Sequence, residues 1–461
     1  MPDETNEDGS GNVIPALIPR GAGHQFVLYG DACSGVPGAL HEQTFATVNA
    51  VVQRLGPRPE FIIFPGDEII GLVEDRAGLL AQWRHWREHE MGWLDRDAIP
   101  MWHATGNHTT YDEMSEQVFR EVLAMPRNGP AGQEGLSYWV RRGDLLLVFV
   151  HTLWSGLGGE GHVDIAWMDG VLAGNRDARH KFVVGHHPAF PVNGFAGPIQ
   201  RDIEPETADA FWQSLVRHGV HAYLCSHILA FDVQAHEGVL QICTAGAGTA
   251  HRMPEGVEYL HCVQMAVDEE GLRYQVLDTD GAVREDLDWT FAALQNQQWA
   301  GLQAGTIAAP VAFPPEERML DLRFAAVAAP AGMARRQTLL CAGRDGALPS
   351  LWIGLGGTRQ RLMVIMHHAP GRSPYYWLGP DITPSEPFAL DLRLDWRMGP
   401  GGLLVRETGS PRWTSMSAAS AWGLERLQPC TTWHIGQGSR GPDDRPFAGT
   451  DLRVAMARER K

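Results

Sequence analysis

Five short apolar runs in the first half of the chain each end in a residue that can bind a metal ion. Phe26-Val-Leu-Tyr29 is followed by Gly30-Asp31, Phe61-Ile-Ile-Phe-Pro65 by Gly66-Asp67, and Met101-Trp-His-Ala-Thr105 by Gly106-Asn107-His108. Phe182-Val-Val184 is followed by Gly185-His186-His187-Pro188, and Tyr223-Leu-Cys225 by Ser226-His227. Ligands of open α/β sheets gather beyond the carboxyl ends of the strands. Five such loops would therefore bring two Asp, one Asn and two or three His to one place. Carboxylate, amide oxygen and imidazole together suit Mn, Fe or Zn better than Ca alone. A Gly before four of the ligands permits a tight turn and close backbone approach. Each block alone is an ordinary strand end, because Gly and Asp are common turn residues. The signal lies in the order of all five.

The elements that must carry these loops are legible in the periodicity. Between the apolar runs lie amphipathic stretches, among them Glu42–Leu55, Leu79–Trp93 and Glu206–His218. Strands alternating with helices imply an α/β layered domain. Residues 1–22 read as a disordered arm, 23–286 as the α/β domain and 287–306 as a linker. From 307 to 461 helical periodicity disappears. Short strand candidates follow one another there: Leu320–Phe324, Thr338–Ala342, Leu351–Leu355, Arg361–Met366, Phe388–Leu394, Leu403–Glu407 and Asp451–Ala455. Many short strands with Gly and Pro turns between them imply an all-β sandwich.

The ordered blocks resemble the calcineurin-like metallophosphoesterases, which include the purple acid phosphatases. That family's pattern runs Asp-x-His, Gly-Asp, Gly-Asn-His, His, then Gly-His-x-His. The resemblance implies a four-layer αββα sandwich over residues 23–286, binding one or two divalent or trivalent ions (Mn, Fe or Zn) and hydrolysing a phosphate monoester or diester with metal-activated water. It implies that Asp67 bridges two metal positions and that Asn107, His186 and His227 complete the second. Asp31 would belong to the first, and His108 would assist the leaving group. Two residues depart from the pattern: Cys33 and Leu229 stand where the first position needs His, and Ser226 replaces the Gly before His227. A Cys33 thiolate can bind Zn or Fe, but a small thiol also fills core space. The double departure keeps open a catalytically inactive scaffold acting as a binding or assembly module. His187, Tyr111 and His251 are candidates for substrate contacts.

The C-terminal pattern resembles the concanavalin-like or laminin-G-like jelly rolls in three stretches: Thr338–Gly343, Phe388–Leu392 with Gly401–Val405, and Trp433–Gly438 with Arg445–Val454. Such folds often bind carbohydrate or protein. Trp352, Tyr375, Tyr376, Trp377, Trp413, Trp422 and Trp433 could form a stacking platform, although large aromatics more often fill cores. His85-Trp-Arg-Glu88-His89 matches a zinc-protease spacing on a helix, but its setting between two phosphoesterase blocks argues against that chemistry.

The balance of 38 basic against 55 acidic residues gives a net charge of −17. A nucleic-acid backbone is therefore excluded as the main partner. A small phosphorylated substrate is not, since a bound cation inverts the local field. Six scattered cysteines without a CxxC pair imply no disulfide framework. The polar start Met1–Gly11 carries no signal-peptide pattern, and no apolar run is long enough to span a membrane. A cytoplasmic protein is the expectation.

Overall fold

The computed structural model describes residues 12–192, 202–249, 258–291, 298–310, 318–332, 335–343, 349–367, 373–418, 430–437 and 444–458. They fall into two compact units. The first takes most of the chain up to Phe291, and the second takes the remainder together with Asp232–Gln241.

Two six-stranded sheets carry the first unit, with the Asp232–Gln241 stretch of the second sheet counted in the second unit. One contains β1 (Gly23–Leu28), β2 (Ile62–Phe64), β3 (Met101–His103), β10 (Cys262–Asp268), β11 (Gly271–Leu277) and β12 (Val283–Thr290), in the order β12-β11-β10-β1-β2-β3. The other contains β4 (Tyr138–Arg142), β5 (Leu145–Phe149), β6 (His180–Val184), β7 (Ala222–Cys225), β8 (Phe231–His236) and β9 (Val239–Thr244), in the order β8-β9-β7-β6-β5-β4. Strands β1, β2 and β3 are parallel, as are β5, β6 and β7. All five candidate ligand blocks therefore leave strand ends that point the same way within their sheet.

Burial fixes the layering. Helices α1 (Leu40–Gln53), α2 (Arg76–His85) and α3 (Glu113–Leu123) set Phe45, Val48, Val52, Leu79, Trp83 and Phe119 against Tyr29, Ile62, Phe64 and Met101 of the first sheet. The opposite face carries Phe26, which stacks on Phe61 at 4.9 Å and meets Phe182 of the second sheet edge-on at 5.6 Å. On the far side of the second sheet, α5 (Pro205–Arg217) packs Phe211 against Tyr223 of β7 at 5.0 Å. Helix α4 (Ile165–Gly174) joins it through Asp169, whose Oδ1 accepts from Ser214 Oγ at 2.7 Å. The result is the expected αββα order. Local chemistry starts the helices where they are needed. Asp112 and Ser115 form a reciprocal capping box on α3, and Asp75 and Asp164 cap α2 and α4.

Two boundaries differ from the sequence reading. Residues 12–22, expected to be disordered, are tied to the first unit. Ile14 and Pro15 pair with Leu55 and Gly56, Leu17 N donates to Gln264 Oε1 at 2.8 Å, and Arg20 N donates to Asp268 Oδ2 at 2.9 Å. The expected linker from 287 begins inside β12, and Ala300–Leu302 and Gly305–Ala308 are strands of the second unit.

The second unit is a two-sheet sandwich, antiparallel except for Asp444–Pro446, which pairs parallel with Arg336–Thr338. One sheet runs Ala300–Leu302, Thr450–Arg458, Met319–Val327, Pro387–Asp395, Leu403–Glu407, Thr414–Ser415. The other runs Gly305–Ala308, Thr432–Ile435, Arg336–Gly343, Leu351–Gly356, Arg361–Met366, Tyr375–Asp381, Ser417–Ala418. All seven strands read from the sequence lie inside these. Leu322, Phe324 and Leu392 of the first sheet share a core with Leu340, Ile353, Val364, Trp377 and Trp433 of the second. Trp352, Trp377, Trp413 and Trp433 are all buried, so they serve packing and not a surface platform. Tyr375 and Tyr376 are half-buried, and Trp422 lies outside the described residues.

Candidate metal centre

The loops after β1, β2, β3, β6 and β7 bring Asp31, Asp67, Asn107, His186 and His227 together. Asp31, Cys33, Asp67 and His227 all hold the left-handed backbone, with φ of 58, 43, 61 and 70°. Non-glycine residues adopt it at a cost and persist there only when their surroundings over-determine it. Here the surroundings do. Asp31 N donates to Gly66 O at 3.1 Å, Cys33 N to Asp67 O at 2.8 Å, and Thr249 N to Asp31 O at 3.0 Å. The glycines before the ligands supply the missing space. A Cβ on Gly106 would lie 2.0 Å from Asp67 Oδ1, and one on Gly66 would lie 2.6 Å from His186 Nδ1.

His186, fully buried, is the centre of the arrangement. Its Nδ1 lies 2.9 Å from Pro65 O. A carbonyl can only accept, so Nδ1 carries a proton and Nε2 is the nitrogen that faces inward. That Nε2 is 3.2 Å from Asp67 Oδ2, 3.0 Å from Asn107 Oδ1 and 3.2 Å from His227 Nδ1. His227 Nδ1 is itself 2.9 Å from Asn107 Oδ1. Carboxylate, amide oxygen and two imidazole nitrogens thus converge on one point. A metal cation would satisfy such a set. The protein electrostatics express the same demand: burial works against a charged His186, but the Asp67 and Asp31 carboxylates outweigh it and raise its pKa to about 9. Burial pushes Asp31 up, and the neighbouring Asp67 charge adds to this. Burial acts on Asp67 too, but His186 and the His108 N–H, 2.9 Å from its Oδ1, outweigh it and hold Asp67 low.

Around this core, single ligand atoms of Asp31, Asp67 and His186 lie within 4.8 Å of one another, as do those of Cys33, Asp67 and His108. Asp67 belongs to both groups. His108 Nδ1 sits 2.8 Å from Ile70 O, which fixes the proton on that nitrogen and leaves Nε2 as its reactive atom. The Ser that replaces Gly before His227 has a part to play: Ser226 Oγ donates to Asp31 Oδ2, which also accepts from His227 N at 2.8 Å. The turn Thr244–Gly248 backs the same loop, with Ala247 N donating to Gly30 O at 2.9 Å. Beneath Asp67, Glu68 and His103 meet at 2.8 Å, an ion-pair distance. Burial drives Glu68 well up and His103 down to about 3, so both are neutral and the contact is a hydrogen bond between an acid and an imidazole.

One residue escaped the sequence reading. Glu160 lies in the Gly-rich turn before His162 and places Oε1 3.1 Å from His187 Nε2, while His187 Nδ1 meets Thr152 Oγ1 at 2.8 Å. Ligand atoms of Glu160, His187 and His227 lie within 4.8 Å of one another. Tyr111 donates its single hydroxyl proton to Val73 O at 2.6 Å and accepts from Val73 N at 3.0 Å. Its hydroxyl is committed to the backbone and not to a substrate. His251 lies outside the described residues.

Ligand blocks in this order, at the strand ends of an αββα sandwich, decide the likeness. In fold, the first unit resembles the calcineurin-like metallophosphoesterases. No protein-family model and no curated protein matches the sequence. Solved structures similar to the chain include a dimetal phosphatase from Danio rerio, at 14% identity over 58% of this chain and 99% of that one, with a TM-score of 0.44. A purple acid phosphatase isolated from yellow lupin seeds is similar at 13% identity over 59% and 54% of the two chains, with a TM-score of 0.43. GAP50, the anchor in the inner membrane complex of Plasmodium, is similar at 13% identity over 58% and 89%, with a TM-score of 0.41. At these identities and scores, the chemistry of the metallophosphoesterase-like site itself must carry any functional reading.

Proposed function

We propose that the chain is a metal-dependent hydrolase of small phosphate monoesters or diesters. The observation that supports this is the convergence of ligand atoms of Asp67, Asn107, His186 and His227 on one point. These four residues would hold the firmer ion, and Asp67, shared with the Asp31 and Cys33 groups, would serve a second one there. Mn, Fe or Zn fits the donors. The ion supplies Lewis acidity, lowering the pKa of water and neutralising phosphoryl oxygens. The protein does the rest. Pro65 O orients His186, Thr249 and Ser226 fix Asp31, and His108, its Nδ1–H tied to Ile70 O, would in its imidazolium form present Nε2–H to the departing oxygen. His187, aligned by Thr152 and Glu160, borders the site as a substrate contact.

The test is turnover of p-nitrophenyl phosphate and bis(p-nitrophenyl) phosphate with Mn²⁺, Fe²⁺ or Zn²⁺ supplied. Hydrolysis that disappears in Asp67→Asn is expected. A second reading, an inactive scaffold for binding or assembly, draws on Cys33 and Leu229 standing in place of His and on the engagement of Asp31 Oδ2 by Ser226 and His227 N. No turnover with any of the three ions would favour it.

A further inference from the structure

The His85 and His89 rings of the His85-Trp-Arg-Glu88-His89 run lie 4.9 Å apart, and His85 also meets two carboxylates. Helix α2 ends at His85, and the chain enters a π-helical turn, Trp86–Glu90, closed by the bond from Met91 N to Trp86 O at 2.8 Å. The wider i→i+5 ring of such a turn brings Glu90 back over His85 instead of carrying it around the helix, and π turns recur at functional sites. Glu42, in the first turn of α1, completes a group. His85 Nε2 is 2.6 Å from Glu42 Oε1 and 3.7 Å from Glu90 Oε1, and one ligand atom from each of the three lies within 4.8 Å of the others.

The Glu90 side chain is only 4% exposed. Its Oε1 accepts from Ser34 Oγ at 2.7 Å and from Gly35 N at 3.1 Å. Its Oε2 meets no hydrogen-bond partner among the described residues. A buried carboxyl oxygen left without a partner is costly. We propose that Glu42, His85 and Glu90 form a further metal site, separate from the phosphoesterase-like centre, that takes a divalent ion of the Zn or Mn class. One imidazole and two carboxylates form a donor set for such ions. The side chains of His85 and Glu42 are 16% and 28% exposed, which leaves an approach from solvent.

The site has a structural consequence. Glu90 holds Ser34 and Gly35, and Glu42 Oε2 accepts from Gly38 N at 2.6 Å. Both carboxylates therefore grip the loop that follows Asp31 and Cys33, and an ion between them locks that loop. This inference does not depend on the hydrolase reading.

The test is Zn²⁺ titration by calorimetry on a chain whose main centre is removed by Asp67→Asn with His186→Ala. That variant is expected to bind one equivalent of Zn²⁺. Adding Glu42→Gln, a change at a half-exposed position that leaves the fold in place by circular dichroism, is expected to weaken binding at least tenfold, within the range of ligand-sphere losses. Adding His85→Ala should do the same. Absence of Zn²⁺ binding in the double variant, or binding unchanged by both Glu42→Gln and His85→Ala, overturns the proposal.

Discussion

His186 is oriented before any ligand arrives, because Pro65 O fixes its tautomer and Gly66 leaves it room. Replacing it with Ala should cut phosphoester turnover by at least about 100-fold and weaken metal binding, read together by kinetics and calorimetry, since removal of even the supporting partners of a ligand costs 10–100-fold. His108→Ala should lower kcat by about 10²–10⁴-fold with little change in KM, as loss of a general acid does. The deficit should shrink for substrates whose leaving group needs no proton. An equal loss for good and poor leaving groups would remove His108 from that role. These residues were legible in the sequence because each is a metal-binding type at the end of an apolar run. Glu160 was not, because a carboxylate in a Gly-rich turn has neither period nor spacing to mark it. Ser226 read as a lost glycine, and only the folded loop shows its hydroxyl donating to Asp31.

Strands and helices were legible wherever burial imposed a period, and illegible where hydrogen bonding overrode it. The stretch 79–93 read as one amphipathic helix, yet it breaks at His85 into a π turn that serves Glu90. The arm before β1 lacks any apolar period, yet side-chain acceptors Gln264 and Asp268 hold its backbone. At the strand ends, Gly106→Ala should abolish metal binding while leaving the far-ultraviolet circular dichroism unchanged, because the new methyl overlaps Asp67 Oδ1 and not the core. Unaltered metal affinity would show that the loop yields. In the sandwich, Asp391 is fully buried on its strand between Arg323, 2.6 Å away, and Arg406, 3.1 Å away. Those guanidinium groups outweigh burial and hold its pKa low. Asp391→Ala leaves two cations facing each other and should destabilise the second unit by about 3 kcal/mol, as breaking a buried pair does. Urea denaturation measures it.

For the molecule as a whole, buried neutral histidines set an acid limit. Burial lowers His103 and His221 to about 3 and His261 to about 4, against 6.5 in an unfolded chain. Between those values the unfolded chain binds protons that the folded one refuses, so stability is lost as pH falls through 6.5 towards 4. Each should cost about 1 kcal/mol by pH 5.5. Scanning calorimetry should show Tm of the first unit falling steadily as pH drops below 6.5. A Tm constant from pH 7 to 5 would contradict those assignments. The division into an αββα unit and a β-sandwich was readable from the change of period. Its boundary was not, because β12 is polar along one edge and resembles a linker.

The most direct measurement is the metal content per chain of the purified protein, by elemental analysis, beside the Asn107→Ala, His186→Ala double variant. At least one equivalent of Mn, Fe or Zn is expected in the wild type and is lost in the variant. Equal metal content in the two proteins, or none in the wild type after reconstitution, would contradict it.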